Sequence, residues 1–375
     1  MYNDMKPMGV IMSSNLYLKY RPSQLSDIVG QKHVVATLQK ASSKNQFSHA
    51  YLFGGERGCG KTSTARILSA LMNCENLEND KLCGKCNACL SIGNGSSIDV
   101  KELNGATSRG INDVKSIIEN SHWSPQDLKR KIYIIDEVHQ LTTEASSALL
   151  KILEEPPSYV TFILCTTDVD KLLSTILSRC QRFKFKKITS KDISVRLSYI
   201  AGKEEINIDN NGLNIISKLA RGSMRDAIGY LDQIGIIGHG KEIKANHIQS
   251  YFGATDRVAI LQIIKSIVTG NVSLLLDQIN DMIVASVDIK EILLEISDVF
   301  RNIMILKVQK KKTQLVDLPD HEIKELREIG ENISMSHLMK LSTEFANIDR
   351  KMEFNINGRW ITEATLIKCV AILRK

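Results

Sequence analysis

The segment that most constrains this chain is Gly55-Glu-Arg-Gly-Cys-Gly-Lys-Thr62, an instance of G-x-x-x-x-G-K-[ST]. It stands between two periodic stretches. Ala50-Tyr-Leu-Phe53 is an apolar run that reads as a buried strand. Thr62 to Met72 reads as a helix with apolar Ala65, Ile67, Leu68, Leu71 and Met72. Gly55, Gly58 and Gly60 let the backbone curl so that N–H groups face inward around phosphate oxygens. The helix N-terminus adds positive potential. Lys61 is placed to reach the β- and γ-phosphates and the Thr62 hydroxyl to hold Mg²⁺. Glu56, Arg57 and Cys59 complete the loop around a nucleotide. The plainer alternative is a glycine-rich turn without a ligand; the lysine, the threonine and both flanking elements weigh against it.

A second apolar run, Ile132-Tyr-Ile-Ile135, ends in Asp136-Glu137. In open α/β sheets ligands bind at the carboxyl ends of strands. Asp136 is expected to help hold Mg²⁺, directly or through water, and Glu137 to orient or deprotonate the attacking water. Acidic residues also favour helix starts in general. Four preceding apolar residues, downstream of a phosphate-loop lysine, favour the catalytic reading. Together the two motifs predict hydrolysis of a nucleoside triphosphate.

Thr161-Phe-Ile-Leu-Cys165 is a third strand candidate and Ile98 to Leu103 a weaker one. Thr142 to Glu155 is helical, with Ala145, Leu149, Ile152 and Leu153 at helical spacing, and Pro156-Pro157 ends it. Strands alternating with helices predict a parallel sheet covered on both faces. After about Lys187 the strand signals fade. Ile188 to Phe252 reads as three or so helices, punctuated by Gly222 and by Gly235 to Gly240. From Gly253 the pattern is helical, with Ile289, Ile292, Leu293, Ile296 and Phe300 on one face. The expected class is α/β then all-α. The expected domains are a nucleotide-binding domain over 1–187, a small helical domain over 188–252 and a helical domain over 253–375.

Composition adds bounds. Forty-nine Lys and Arg stand against 42 Asp and Glu, a net charge of +7, which permits a polyanionic partner without requiring one. No apolar run is long enough for a membrane helix. Met1 to Tyr17 lacks an apolar signal region, so a reducing, cytoplasmic compartment is expected. There, Cys74-x8-Cys83-x2-Cys86-x2-Cys89 points to metal. Four thiolates suit a structural Zn²⁺ site, and an iron–sulfur cluster would use similar ligands. The other four cysteines, Cys59, Cys165, Cys180 and Cys369, are scattered and read as small apolar residues.

Several further segments occur in one familiar order. They are Tyr20-Arg-Pro22, Val29-Gly-Gln31, His49-Ala-Tyr-Leu-Phe53, the phosphate loop, the cysteine insertion and Ile135-Asp-Glu-Val-His139. Ala148-Leu-Leu-Lys-Ile-Leu-Glu-Glu-Pro-Pro157, Thr175-Ile-Leu-Ser-Arg-Cys-Gln-Arg-Phe183 and Gly222-Ser-Met-Arg-Asp226 follow. In these the chain resembles the clamp-loader ATPases of bacterial DNA polymerase III, the gamma/tau subunits of the AAA+ class, over about residues 17 to 233.

The resemblance implies an AAA+ P-loop domain, a helical lid and a C-terminal helical collar through which subunits assemble. It implies ATP-driven loading of a sliding clamp onto primer–template DNA, within a holoenzyme classed as a DNA-directed DNA polymerase. The implied partners are delta- and delta-prime-type subunits, further copies of itself, the clamp, and DNA without sequence specificity. Thr167 matches the sensor 1 position, Arg179 an arginine finger acting on a neighbouring subunit's ATP, and Arg225 sensor 2. By residue type alone these are also an ordinary strand-end threonine, a surface arginine and a helix-face ion pair.

The chain departs from its relatives in places. Glu56 stands where they carry proline, so its carboxylate should point outward, with Arg57 as a compensating charge. Cys165 replaces alanine. The chain starts some residues before theirs, with Met8 or Met12 as alternative starts. It ends at Lys375, before the helicase- and polymerase-binding segments of the long form, so the short form is expected. Arg109, at an expected helix start, is a candidate for a DNA backbone phosphate, and Lys310-Lys-Lys312 reads as a solvated loop. The competing function is an ATP-binding scaffold or initiator with little turnover, against which Lys61 and Glu137 argue.

Overall fold

The computed structural model describes residues 15–78, 81–238, 242–252, 257–285, 287–309, 315–316, 318, 320–346 and 358–374. Both alternative start methionines and Lys310-Lys-Lys312 lie outside the described residues. The chain divides into two compact units that part between Ala245 and Asn246.

The first unit is built on five strands: β1 (Ala50–Gly54), β2 (Val100–Asn104), β3 (Lys131–Asp136), β4 (Val160–Thr166) and β5 (Gln181–Lys184). All pair in parallel, in the order β2-β3-β4-β1-β5. Strands β1, β3 and β4 read as continuous apolar runs because they are central and covered on both faces. Tyr51, Phe53, Ile132, Ile134 and Ile163 pack into one core layer, and Leu52, Tyr133, Ile135, Phe162 and Leu164 into the other. Alternate residues of each strand thus enter opposite layers.

The helices up to β5 are α1 (Leu16–Lys19), α2 (Lys32–Ser43), α3 (Lys61–Asn73), α4 (Asn87–Asn94), α5 (Ile111–Ser121), α6 (Thr143–Glu154) and α7 (Ser174–Leu177). Thr142 caps α6 by accepting the Ala145 N–H at 3.2 Å. Beyond β5 come α8 (Ser190–Lys203), α9 (Asn210–Leu219), α10 (Met224–Gly238) and α11 (Ala245–Phe252).

Four sequence expectations shift. The fifth strand, β5, was not foreseen, because its residues are polar and only Phe183 is buried. Strand β2 begins at Val100, and Ile98 is exposed. The cause is Asp99, fully buried, whose carboxylate accepts the backbone N–H groups of Gln126, Asp127 and Leu128 at 2.8–3.1 Å. Gly235 does not punctuate but lies inside α10, where a Cβ would come within 2.9 Å of Ile206. The described residues of 188–252 hold four helices where three or so were expected.

The second unit is helical: it takes all but the first residue of α11, then α12 (Arg257–Thr269), α13 (Val272–Val284), α14 (Ile289–Val308), α15 (Asp320–Glu331), α16 (Met335–Ala346) and α17 (Gly358–Leu373). Its core is mostly aliphatic. Ile292, Leu293, Ile296 and Phe300 of α14 pack among Ile263, Ile279, Leu341 and Leu366. No helix among the described residues is long and apolar enough to cross a membrane.

Candidate active site

The loop after β1 closes on itself around Lys61. The Lys61 ammonium donates to the carbonyls of Gly55 at 2.7 Å and Glu56 at 2.9 Å, and the residue is buried. Gly60 takes φ +100° immediately before α3, a left-handed turn that glycine adopts without steric cost. Gly58 takes φ +73°, and a Cβ there would lie 1.9 Å from the Ser223 hydroxyl. The first turn of α10 rests on this glycine, and the Met224 N–H donates to the Gly58 carbonyl at 3.0 Å.

Gln31 braces the other side. Fully buried, it donates to the carbonyls of Lys186 at 2.6 Å and Cys59 at 3.4 Å and accepts the Lys186 N–H at 3.0 Å. The Cys59 thiol donates to the Glu56 carbonyl at 2.8 Å, and burial pushes its pKa up against the opposing charge of Lys61. Glu56 points outward as required. The cation nearest its carboxylate is Lys187, at 3.6 Å, and not the expected Arg57.

The carboxylates meet this loop at the sheet edge. Thr62 Oγ1 donates to Asp136 Oδ2 at 2.8 Å, so the two expected Mg²⁺ ligands are adjacent. Glu137, with φ +50°, turns its side chain toward the end of β4. Its Oε2 accepts the Thr167 N–H at 3.1 Å and the Thr167 hydroxyl at 2.8 Å. Asn104 is in register with Asp136 and lines the same cavity.

That cavity, about 310 Å³, is lined by Lys61, Thr62 and Asp136 and by apolar Ile28, Val29, Ile188 and Ile228. Arg57, Arg196 and Arg225 supply further positive charge. The Arg225 guanidinium stands 4.7 Å from the Tyr17 ring centroid, within cation–π range. Helix α1, which carries Tyr17, is fastened to the helices beyond β5. The Leu16 N–H donates to Asp232 at 3.2 Å, and Lys19 and Tyr20 both engage Glu204. Those two bonds, Lys19 first, hold the Glu204 carboxyl below its usual range. Burial, then the bond to Glu204, pushes the Tyr20 phenol up to about 12.

Arg179 is elsewhere. It follows α7, pairs with Glu154, donates to the Thr175 carbonyl at 2.9 Å and does not line the cavity. Arg109 is exposed, just before Gly110, the N-cap of α5. Tyr17, Asn104 and Arg196 were missed as site residues by sequence reasoning. Arg196 carried no local signal, while Asn104 could have been found from its place at the end of a strand candidate.

The four cysteines converge. Cys74 ends α3, Cys86 precedes α4 and Cys89 lies within it. The sulfurs of Cys74, Cys83, Cys86 and Cys89 all fall within 4.8 Å of one another, with four pairs at 3.7–4.0 Å. Metal–sulfur bonds of about 2.3 Å place the corners of a tetrahedron about 3.8 Å apart. The spacing therefore suits one ion and is too tight to surround several irons. The N–H groups of Lys85 and Cys86 point at Cys83 Sγ, at 3.5 and 3.4 Å, and lower that thiol to about 6. Burial raises Cys74 and Cys89. Ala70 of α3 packs against Ala88 and Ile92, so the cluster lies beside the phosphate-loop helix.

Three family models match in succession. "DNA polymerase III, delta subunit" matches residues 30–189, "DNA polymerase III clamp loader subunit, ATPase lid domain" residues 192–241, and "DNA polymerase III subunits gamma and tau domain III" residues 243–341. The DNA polymerase III subunit tau of Bacillus subtilis is 36% identical over 353 residues, 94% of this chain and 62% of its own length. The chain belongs to the gamma/tau family of DNA polymerase III. The gamma/tau subunit of Mycoplasma genitalium is 41% identical over 70% of this chain and 44% of its own, and the tau subunit of Escherichia coli 34% identical over 77% and 45%. The chain thus spans about half to three-fifths of the length of these gamma/tau relatives. Among solved structures, the Thermotoga maritima RuvB Holliday junction branch migration motor aligns over 67% of this chain and 80% of its own, at 19% identity and a TM-score of 0.48. The fold class is the expected one, α/β then all-α: a parallel-sheet domain carrying the phosphate loop, a segment that matches an ATPase lid domain, and a C-terminal helical domain.

Proposed function

We propose that this chain is an ATP-hydrolysing subunit of a sliding-clamp loader, and that its own nucleotide site is completed by a neighbouring subunit. One observation carries the reading. Lys61, the Thr62–Asp136 pair and the Glu137–Thr167 pair gather at one sheet edge, while Arg179 stands outside that cavity. Lys61 exchanges its loop carbonyls for the β- and γ-phosphates. Thr62 and Asp136 would hold Mg²⁺, which neutralises charge on the phosphates. Glu137 orients and deprotonates the attacking water, and Thr167 fixes the Glu137 carboxylate. Arg225 reaches the nucleotide from the lid. Arg179 leaves Glu154 to stabilise charge on a neighbour's γ-phosphoryl group, an effect of about 10³–10⁵ in rate in known systems.

Residues 1–187 serve as the nucleotide-binding domain, 188–252 as the lid and 253–375 as the collar for assembly with further copies and with delta- and delta-prime-type subunits. Cys74, Cys83, Cys86 and Cys89 would hold structural Zn²⁺ and so pin α4 to α3. The substrate complex is a sliding clamp with primer–template DNA, gripped through its backbone, with Arg109 as one phosphate contact. The setting is cytoplasmic.

The test is ATP turnover by the chain alone and in a reconstituted loader, each with and without clamp and primed DNA. Stimulation by clamp and DNA together is expected. Flat turnover under all conditions would instead favour the scaffold reading.

A further inference from the structure

His139 lies under Glu137 and has no role in the reading above. Its side chain is 9% exposed, so its ring contacts are not surface accidents. Nδ1 stands 2.9 Å from Thr166 Oγ1 and 3.4 Å from Glu137 Oε2. The surrounding bonds fix which of these atoms carries the hydrogen. The Asp168 carbonyl, 2.9 Å from Thr166 Oγ1, can only accept, so it takes the single hydroxyl hydrogen. The hydroxyl oxygen also accepts the Asp168 N–H at 3.0 Å. It must therefore accept from the ring, and Nδ1 bears a hydrogen. The carboxylate of Glu137 on the same side requires the same assignment, since two lone pairs facing each other would repel.

Thr166 is not an arbitrary anchor. It pairs with Gly54 at the end of β1, and its carbonyl accepts the N–H of Gly55, the first glycine of the phosphate loop, at 3.2 Å. A continuous set of contacts therefore runs from Gly55 through Thr166 and His139 to Glu137. The Nδ1–H bonds to the threonine oxygen, and the same Nδ1 lies 3.4 Å from Glu137 Oε2, a close electrostatic contact. Oε2 is thus held by the two bonds from Thr167 and by the ring nitrogen beside it, which leaves Oε1 as the oxygen able to take a proton from water.

We propose that His139 is a positioning residue for ATP hydrolysis, holding the Glu137 carboxylate in fixed relation to the phosphate loop through its Nδ1–H. The proposal rests on the reading of Glu137 as general base. His139 itself does not line the nucleotide cavity.

Its test exploits the shapes of two amides. The Asn side chain carries its N–H₂ where histidine carries Nδ1, and Gln carries it nearer the Nε2 position. Steady-state ATP turnover of the full chain is measured for His139→Ala, His139→Asn and His139→Gln. Misplacing a general base forfeits part of the 10²–10⁴-fold that such catalysis contributes. His139→Ala is expected to lose roughly 10- to 100-fold in kcat, with KM for ATP within about twofold. His139→Asn should recover to within about threefold of the native chain, and His139→Gln should not recover. Native turnover in His139→Ala, equal defects in the Asn and Gln variants, or a loss confined to KM would each overturn the proposal. If His139→Ala fails a thermal-melting check, the Asn and Gln comparison decides alone. Glu137→Gln is run alongside. Full turnover there removes the general base and this inference with it. Inactive Glu137→Gln with normal His139→Ala removes only the inference.

Discussion

Gly58→Ala probes how the lid meets the phosphate loop. Gly58 sits at φ +73°, and an alanine Cβ would lie 1.9 Å from Ser223 Oγ and 2.8 Å from Ser223 Cβ. A left-handed alanine costs about 1–2 kcal/mol. The overlap is not with the end of a flexible chain, so the first turn of α10 must move. That breaks the bond from the Met224 N–H to the Gly58 carbonyl, worth about 0.5–1.5 kcal/mol. The sum, about 1.5–3.5 kcal/mol, converts to roughly 10- to 400-fold weaker ATP binding if the nucleotide needs this loop shape and a docked lid. Equilibrium binding of a fluorescent ATP analogue measures it. The control is Gly58→Ala with Ser223→Gly, which removes both overlapping atoms and, by itself, costs only the cap that Ser223 gives the Asp226 N–H at 3.2 Å. The double variant should recover at least about 1 kcal/mol of coupling. Native affinity in Gly58→Ala, or no recovery in the double variant, would refute the argument that the lid reads the loop through this contact.

Other perturbations separate binding, chemistry, metal and protonation. Lys61→Ala should abolish nucleotide binding, whereas Glu137→Gln should bind ATP within about twofold of native yet lose roughly 10²–10⁴ in single-turnover rate, because an amide can keep the Thr167 bonds but cannot take a proton. Cys86→Ser should release Zn²⁺, measured by a chelating dye, while ATP affinity stays near native, since no cysteine of the cluster lines the nucleotide cavity. The Tyr20 phenol, raised to about 12 from 10.0, favours the folded state while protonated. That contribution is whole below pH 10 and is lost as pH climbs from about 10 to about 12. The melting temperature of the native chain should fall more steeply across that window than that of Tyr20→Phe, a comparison that cancels the similarly raised Tyr133.

Much of the α/β region was legible because its central strands are buried on both sides. Such strands must be continuous apolar runs, and they stand out against the helices between them. The phosphate loop and the acidic strand end were legible for a different reason: glycine, lysine and carboxylate spacings leave few other uses. What stayed hidden follows the same logic in reverse. Strand β5 is an edge strand with one buried side chain, so no alternation marks it. Gly235 sits inside a helix where Ile206 leaves too little room for a Cβ, a tertiary reason for glycine with no local sign. The Glu56 carboxylate could be expected to point outward, but Lys187 as its neighbour depends on how the end of β5 returns to the loop. Tyr17 against Arg225 joins residues more than 200 positions apart, and no local pattern encodes that contact.

The central claim is that each ATP site is completed by Arg179 of a neighbouring chain. It is tested most directly by mixing two defective chains, one carrying Lys61→Ala and one Arg179→Ala, and measuring ATP turnover of verified mixed assemblies. Arg179→Ala alone should bind ATP normally, because its side chain bonds to Glu154 and Thr175 and not to the cavity. Mixing should place some intact phosphate loops opposite an intact Arg179, and turnover should rise well above the sum of the two separate chains. Turnover no greater than that sum would contradict the account and assign Arg179 to its own chain.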